Sequence, residues 1–357
     1  MSLTSGLDDI AVLSVTRQGV ALARRLEASL PAKLTVYVTA KYAEDAPEHY
    51  VRFTDKLQPV VDAAWAKHEA LIFIGAAGIA VRMIAPHVID KRFDPGVVVM
   101  DIQGKFAIAL CSGHLGGANE LARLIGEEIG AIPVVTTGTD VNETLAPDVL
   151  AKQIGADIEN WDALKVVSGA LVDGRRVGVL VEATVPDLAR YAAKNVHVTD
   201  SLDGFDAGIG VTARVVETAT PTIWLRPRVL VVGIGCNSGT SEDEIAREVD
   251  AVLGEAALSP RSVRELATID LKKDEPGLVA FAAARGLALR AFDARTINED
   301  APPFERSETV FRHVGVYGVS EPAAMLAAGA STCLVTKQKR GNVTIAVALV
   351  PTERVPR

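Results

Sequence analysis

Apolar runs alternate with helically spaced apolar positions from the first residues of the chain. Ile10–Val15 reads as a strand, Val20–Leu30 as a helix with Leu22, Leu26 and Leu30 on one face, and Leu34–Val38 as the next strand. A second cycle places an amphipathic helix near Lys56–Lys67, a strand at Leu71–Ile74 and a helix opening after Gly75-Ala-Ala-Gly78. Strands that are apolar throughout, rather than alternating, suit a parallel sheet covered on both faces. Val97–Met100 and Phe106–Cys111 read as adjacent strands joined by a tight turn at Gln103-Gly104. A Gly-rich loop leads into a helix over Glu120–Ile129, and Ile132–Val135 closes this unit.

Beyond Pro147 the pattern weakens. Helices are expected to about Ile154 and near Trp161–Leu171, with strands at Val177–Val181 and Ala207–Val211. Pro221, Pro227 and the polar residues from Glu217 to Arg228 read as a linker. A new cycle starts at Val229–Val232, with helices near Glu242–Leu253 and Pro276–Arg285 and strands at Leu287–Ala291, Cys333–Thr336 and Val343–Val350. The expected fold is therefore α/β and multi-domain: an N-terminal open parallel sheet with Gly-rich strand-to-helix loops (1–140), a smaller middle region (141–226) and a separate C-terminal α/β domain (227–357).

Composition narrows the function. Of 357 residues, 49% are hydrophobic but only 5% aromatic, which favours helix-covered strands over an aromatic-rich β-sandwich. A net charge of −8 without any long basic run argues against nucleic acid as a partner. No apolar stretch approaches the ~18 residues of a membrane span, and the opening MSLTSGLDDI is acidic where a signal peptide is basic, so a cytoplasmic location is expected. Cys111, Cys236 and Cys333 are isolated and the six histidines scattered, so no protein-held metal or cofactor is expected. A metal in the chemistry would arrive with the substrate.

Candidate chemistry concentrates in Cys111-Ser-Gly-His-Leu-Gly-Gly-Ala-Asn-Glu120, between a strand and a helix. Ser112, His114 and Asn119 offer hydrogen bonds, Glu120 a carboxylate, and Gly113, Gly116 and Gly117 let backbone N–H groups face an anion. Close packing at Gly116-Gly117 and helix capping by Ser112 are the structural alternatives. Gly75 and Gly78 repeat the arrangement, with Arg82 one turn into the helix as a carboxylate holder or an ordinary exposed cation. Asp101 follows another strand end, as a site residue or a turn former. Both Gly-rich loops are expected side by side at the C-terminal edge of one parallel sheet, making one site.

Gly233-Ile-Gly235-Cys-Asn237-Ser238-Gly239 nearly matches a dinucleotide fingerprint but lacks its last glycine spacing, which keeps a nucleotide-dependent oxidoreductase only as an alternative; capping by Thr240 or Ser241 needs no ligand. No GxSxG, GxxxxGK[ST] or HExxH occurs.

Leu71-Ile-Phe-Ile-Gly-Ala-Ala-Gly-Ile-Ala-Val-Arg82 and Ser112-Gly-His-Leu-Gly-Gly-Ala-Asn-Glu120, with the strand end at Val134–Thr137, resemble the cobalt-precorrin-5A hydrolase family, CbiG. Val232–Gly239, Ile269-Asp-Leu-Lys-Lys273 and Val316–Ala324 are similar to the domain this family shares with the smaller CobE protein. The resemblance covers most of residues 55 to 350. It implies hydrolysis of the ring-A δ-lactone of a cobalt-corrinoid, with acetaldehyde released and the cobalt belonging to the substrate. It also implies that Gly75, Gly78, Arg82, Ser112, Gly113, Gly116, Gly117, Asn119, Gly233, Gly235, Asn237 and Ser238 face that substrate. His114 would activate water or protonate the departing oxygen, oriented by Glu120 or Asp101. A non-catalytic carrier that passes the corrinoid between neighbouring pathway enzymes is the other reading.

Overall fold

The computed structural model describes residues 7–54, 56–142, 144–182 and 195–351. The chain divides into two compact units, Met1–Val149 and Leu150–Arg357.

The first unit is built on seven strands: β1 (Asp9–Ser14), β2 (Lys33–Thr39), β3 (Val51–Phe53), β4 (Ala70–Ile74), β5 (Gly96–Met100), β6 (Phe106–Cys111) and β7 (Ile132–Val134). They lie in the order β3-β2-β1-β4-β5-β6-β7. β4 and β5 are buried at every position, as their unbroken apolar sequences require of strands covered on both faces. One face is closed by α1 (Arg17–Ser29) and α4 (Ala118–Ile129), through Leu26, Leu121 and Ile125. The other is closed by α2 (Leu57–Lys67) and α3 (Ala77–Ile84), through Val61, Ala80 and Ile84. Thr16 caps α1 by accepting from Gly19 N–H at 3.0 Å, and α4 runs between two left-handed glycines, Gly117 and Gly130.

The sheet is dominated by parallel pairs, as expected, with one reversed pair. β1 to β5 run in one direction, but β6 is antiparallel to β5, with Val97 opposite Cys111 and Met100 opposite Ala107. β7 follows β6 in parallel. The hairpin foreseen at Gln103-Gly104 is the cause, because a turn this short can only return the chain antiparallel. The C-terminal ends of β6 and β7 therefore lie at the edge where β1, β4 and β5 begin.

The second unit holds two five-stranded sheets. In one, β8 (Ala156–Ile158), β9 (Val177–Val181), β10 (Val196–Val198), β11 (Ala207–Val211) and β12 (Thr222–Pro227) take the order β10-β9-β11-β12-β8. The segment expected as a linker is thus a strand, paired with β11 on one side and β8 on the other. Its prolines mark the boundaries of the strand, and Arg226, 2% exposed, donates to the Thr212 carbonyl at 3.0 Å and pairs with Glu159. In the other sheet, β13 (Leu230–Cys236), β14 (Val263–Ile269), β15 (Ala288–Phe292), β16 (Cys333–Arg340) and β17 (Val343–Leu349) take the order β15-β14-β13-β17-β16. No described helix is long and apolar enough to cross a membrane.

Candidate functional site

The reversal of β6 separates the two Gly-rich loops. Gly75 N–H donates to the Met100 carbonyl at 2.8 Å, so the Gly75–Gly78 loop sits where β4 and β5 end. The Ser112–Gly117 loop sits where β5 begins: a Cβ on Gly96 would come within 2.1 Å of the Gly116 carbonyl oxygen. Five residues of β5 lie between, roughly 13 Å along the strand. The single-site expectation therefore fails, because the rule that places ligands at strand C-termini applies to two opposite edges of this mixed sheet.

Asp101 belongs with the first edge. Its carboxylate accepts the N–H groups of Gln103 and Phe106, each at 2.8 Å, which is the turn-forming role; it does not orient His114. Arg82 is exposed and folds back on its own helix, donating to the Gly78 carbonyl at 2.8 Å. Glu120 is half-buried in the first turn of α4 and makes no hydrogen bond or ion pair among the described residues.

His114 is the centre of the second edge, and its partners come from farther along the chain. The loop after β7 turns into a short helix, α5 (Gly138–Val141), and α6 (Pro147–Gln153) follows. His114 Nε2 lies 2.9 Å from Asp140 Oδ2 and 3.1 Å from Thr139 Oγ1, while Nδ1 lies 3.1 Å from Asp148 Oδ1. Asn119, 4% exposed, donates to Thr137 Oγ1 at 2.9 Å and to Asp140 Oδ2 at 3.0 Å. Arg123, one turn further along α4, binds the other Asp140 oxygen. Ser112 bends the backbone at φ +52, and Gly113 leaves room for Asn119, since a Cβ there would meet Asn119 Oδ1 at 2.5 Å. Gly116 is equally constrained, with its Cβ position 2.7 Å from Gly96 N. The glycines of this loop are thus close-packing residues that bring His114 and Asn119 to the edge.

The electrostatics fix the protonation. Burial disfavours the His114 imidazolium, but hydrogen bonds to Asp140 and Asp148 outweigh it and raise the pKa to about 9. Burial likewise opposes the Asp140 carboxylate, yet His114 and Arg123 bring its pKa down to about 2. Asp148 is lowered in the same way, with burial opposing and the His114 hydrogen bond prevailing. Near neutral pH the cluster is an imidazolium held between two carboxylates. Both ring nitrogens already donate, so His114 can give a proton but has no free lone pair with which to take one.

Sequence reasoning missed Thr137, Thr139, Asp140, Asp148 and Arg123. The signal lay in Thr136-Thr137-Gly138-Thr139-Asp140, a polar run after a short strand, whose importance depends on the unforeseen direction of β6 and β7.

In the second unit, Gly233 and Gly235 lie within β13 and do not form a loop after it. A Cβ on Gly233 would come within 1.9 Å of the Ser320 carbonyl oxygen, and one on Gly235 within 2.6 Å of Thr344 Oγ1. These glycines admit a close helix and a neighbouring strand, which removes the dinucleotide fingerprint. Asn237 donates to Asn342 twice, from its backbone N–H to the carbonyl and from Nδ2 to Oδ1, each at 2.9 Å, and Ser238 Oγ donates to Glu275 at 3.4 Å.

Three family models match consecutive stretches of the chain: cobalamin synthesis G N-terminal over residues 59–140, cobalamin biosynthesis central region over 145–227, and cobalamin synthesis G C-terminus over 230–348. The chain belongs to the cobalamin synthesis G family. Among similar members, the cobalt-precorrin-5A hydrolase of Priestia megaterium is 36% identical, covering 96% of this chain and 95% of that protein. The cobalt-precorrin-5A hydrolase of Salmonella typhimurium is 37% identical, covering 96% and 98%. The solved structure of CobE, a protein from the cobalamin biosynthetic pathway, matches 36% of this chain and 94% of its own at 30% identity, with a TM-score of 0.33. Membership of this family gives the chain a role in cobalamin biosynthesis.

Proposed function

We propose that this chain is a cobalt-precorrin-5A hydrolase, which opens the ring-A δ-lactone of cobalt-precorrin-5A and releases acetaldehyde to give cobalt-precorrin-5B. The observation that supports it most is identity of 36–37% over nearly the whole of two chains that carry that name.

In this reading the cobalt enters as part of the substrate. Water adds to the lactone carbonyl, the acyl C–O bond breaks, and the departing oxygen takes a proton. The cluster around His114 is suited to supply that proton once the departing oxygen takes the place of one carboxylate at a ring nitrogen, because Asp140 and Asp148 keep the ring protonated until then. The alcohol so freed then loses its own proton as the bond to the macrocycle breaks. The electron pair passes to the cobalt-bound ring system and acetaldehyde departs.

Incubating the purified protein with the cobalt-bound lactone and trapping volatile aldehyde tests the reading. Binding of the corrinoid without aldehyde release would replace it with that of a carrier.

A further inference from the structure

The second unit has a cavity of about 350 Å³ where β13 and β14 end, closed by the helices Glu308–Val314 and Ser320–Ala328 and by the β16–β17 turn. Its lining is divided in character. Val310, Val314, Tyr317 and Val319 give an apolar wall, while Lys272, Lys337 and Lys339 bring three ammonium groups, and no carboxylate is among the described residues that line it. Lys272 is paired with Glu275 at 2.9 Å and Lys337 with Glu305 at 3.3 Å, which leaves the Lys339 ammonium without a partner among the described residues.

Ser320 also lines this cavity. It is 1% exposed, and its Oγ has no hydrogen-bond partner among the described residues. A buried hydroxyl without a partner destabilises a fold unless something else uses it. Ser320 opens a nine-residue helix that has no side-chain cap, so the hydroxyl stands at the positive end of that helix. Glu321, in the same turn, accepts Lys337 N–H at 3.1 Å and does not line the cavity.

We propose that this cavity is a binding site for a carboxylate carried on an apolar body. The carboxylate takes Ser320 Oγ and Lys339, and the body lies on Val310 and Val314. In a part of the proposal that rests on the function given above, the body is a corrinoid and the carboxylate one of its side arms. A free aromatic acid presents the same chemistry.

Calorimetric titration of the full chain separates the sources, using cobyrinic acid, its fully methyl-esterified form, and benzoate. Cobyrinic acid is expected to bind at least tenfold tighter than the ester, and Ser320→Ala and Lys339→Gln each to weaken it fivefold or more. Ser320→Ala should keep or raise the melting temperature, whereas a merely structural hydroxyl would lower it on removal. Sensitivity of benzoate alone to these variants keeps the site and assigns it to a free acid. Equal binding of all probes by wild type and both variants, or no binding of any, overturns the proposal. Aldehyde release is read separately: its absence sinks the hydrolase reading and leaves these titrations standing, while release with unaltered binding in the variants does the reverse.

Discussion

Asp148 accepts from His114 across thirty-four residues of sequence, 3.1 Å from Nδ1, while Asp140 holds the other ring nitrogen, Nε2. A histidine gripped from both sides is a fixed donor, and the consequences are measurable.

Replacing His114 by Gln keeps a hydrogen-bonding side chain but removes the acid. Aldehyde release at saturating substrate is expected to fall about 10²–10⁴-fold, with corrinoid affinity changed far less. A wild-type rate in this variant would remove His114 from the chemistry.

Asp140→Asn takes away one of the two carboxylates that stabilise the imidazolium. The His114 pKa should drop from about 9 towards its ordinary 6.5, which imidazole proton resonances followed against pH would report. An unmoved titration would mean that Asp148 alone sets the value.

The same shifts make stability depend on pH. His114 is raised, so its contribution is complete below pH 6.5 and is lost as pH rises through about 9. Asp140 is lowered, so its contribution is complete above pH 3.8 and is lost as pH falls through about 2. Between these limits the first unit should be most stable, and the alkaline loss should amount to about 3 kcal/mol. Denaturant melts at pH 6 and pH 9.5 should show that loss in wild type and not in His114→Gln.

Opposite sheet edges predict unequal mutants. Arg82→Ala should alter corrinoid affinity less than threefold, because Arg82 lies with the Gly75 loop and away from His114. Gly96→Ala, remote from Arg82 but pressed on Gly116, should displace the His114 loop and destabilise the fold by about 1–3 kcal/mol. Calorimetry and thermal melts of the two variants check this; a larger affinity loss in Arg82→Ala would put the corrinoid at the Gly75 edge instead of the His114 edge.

Much of this was legible in the sequence. Phe106–Cys111 and Val177–Val181 match observed strands residue for residue, because unbroken apolar runs between polar turns leave few alternatives. The Gln103-Gly104 hairpin is legible too, but the residues of β6 and β7 do not themselves show the direction it imposes on them, and an all-parallel sheet would put His114 at the other edge. Pro221 and Pro227 misled for a related reason, since proline marks a strand's end as readily as a linker. Asp140 and Asp148 were hidden because contact with His114 depends on where β7 delivers the chain, which local pattern does not encode.

The β5–β6 hairpin also bears on how the site comes into being. Every other neighbouring pair in the first sheet is parallel and must wait for a crossover, whereas this pair closes locally. On that ground Ser112 and His114 are expected to reach their place early in folding, and Asp140 and Asp148 to arrive afterwards and lock a ring already set. Folding kinetics can time these events: Val99→Ala should slow folding, and Asp148→Asn should mainly speed unfolding. The reverse would mean that the lock forms before the frame.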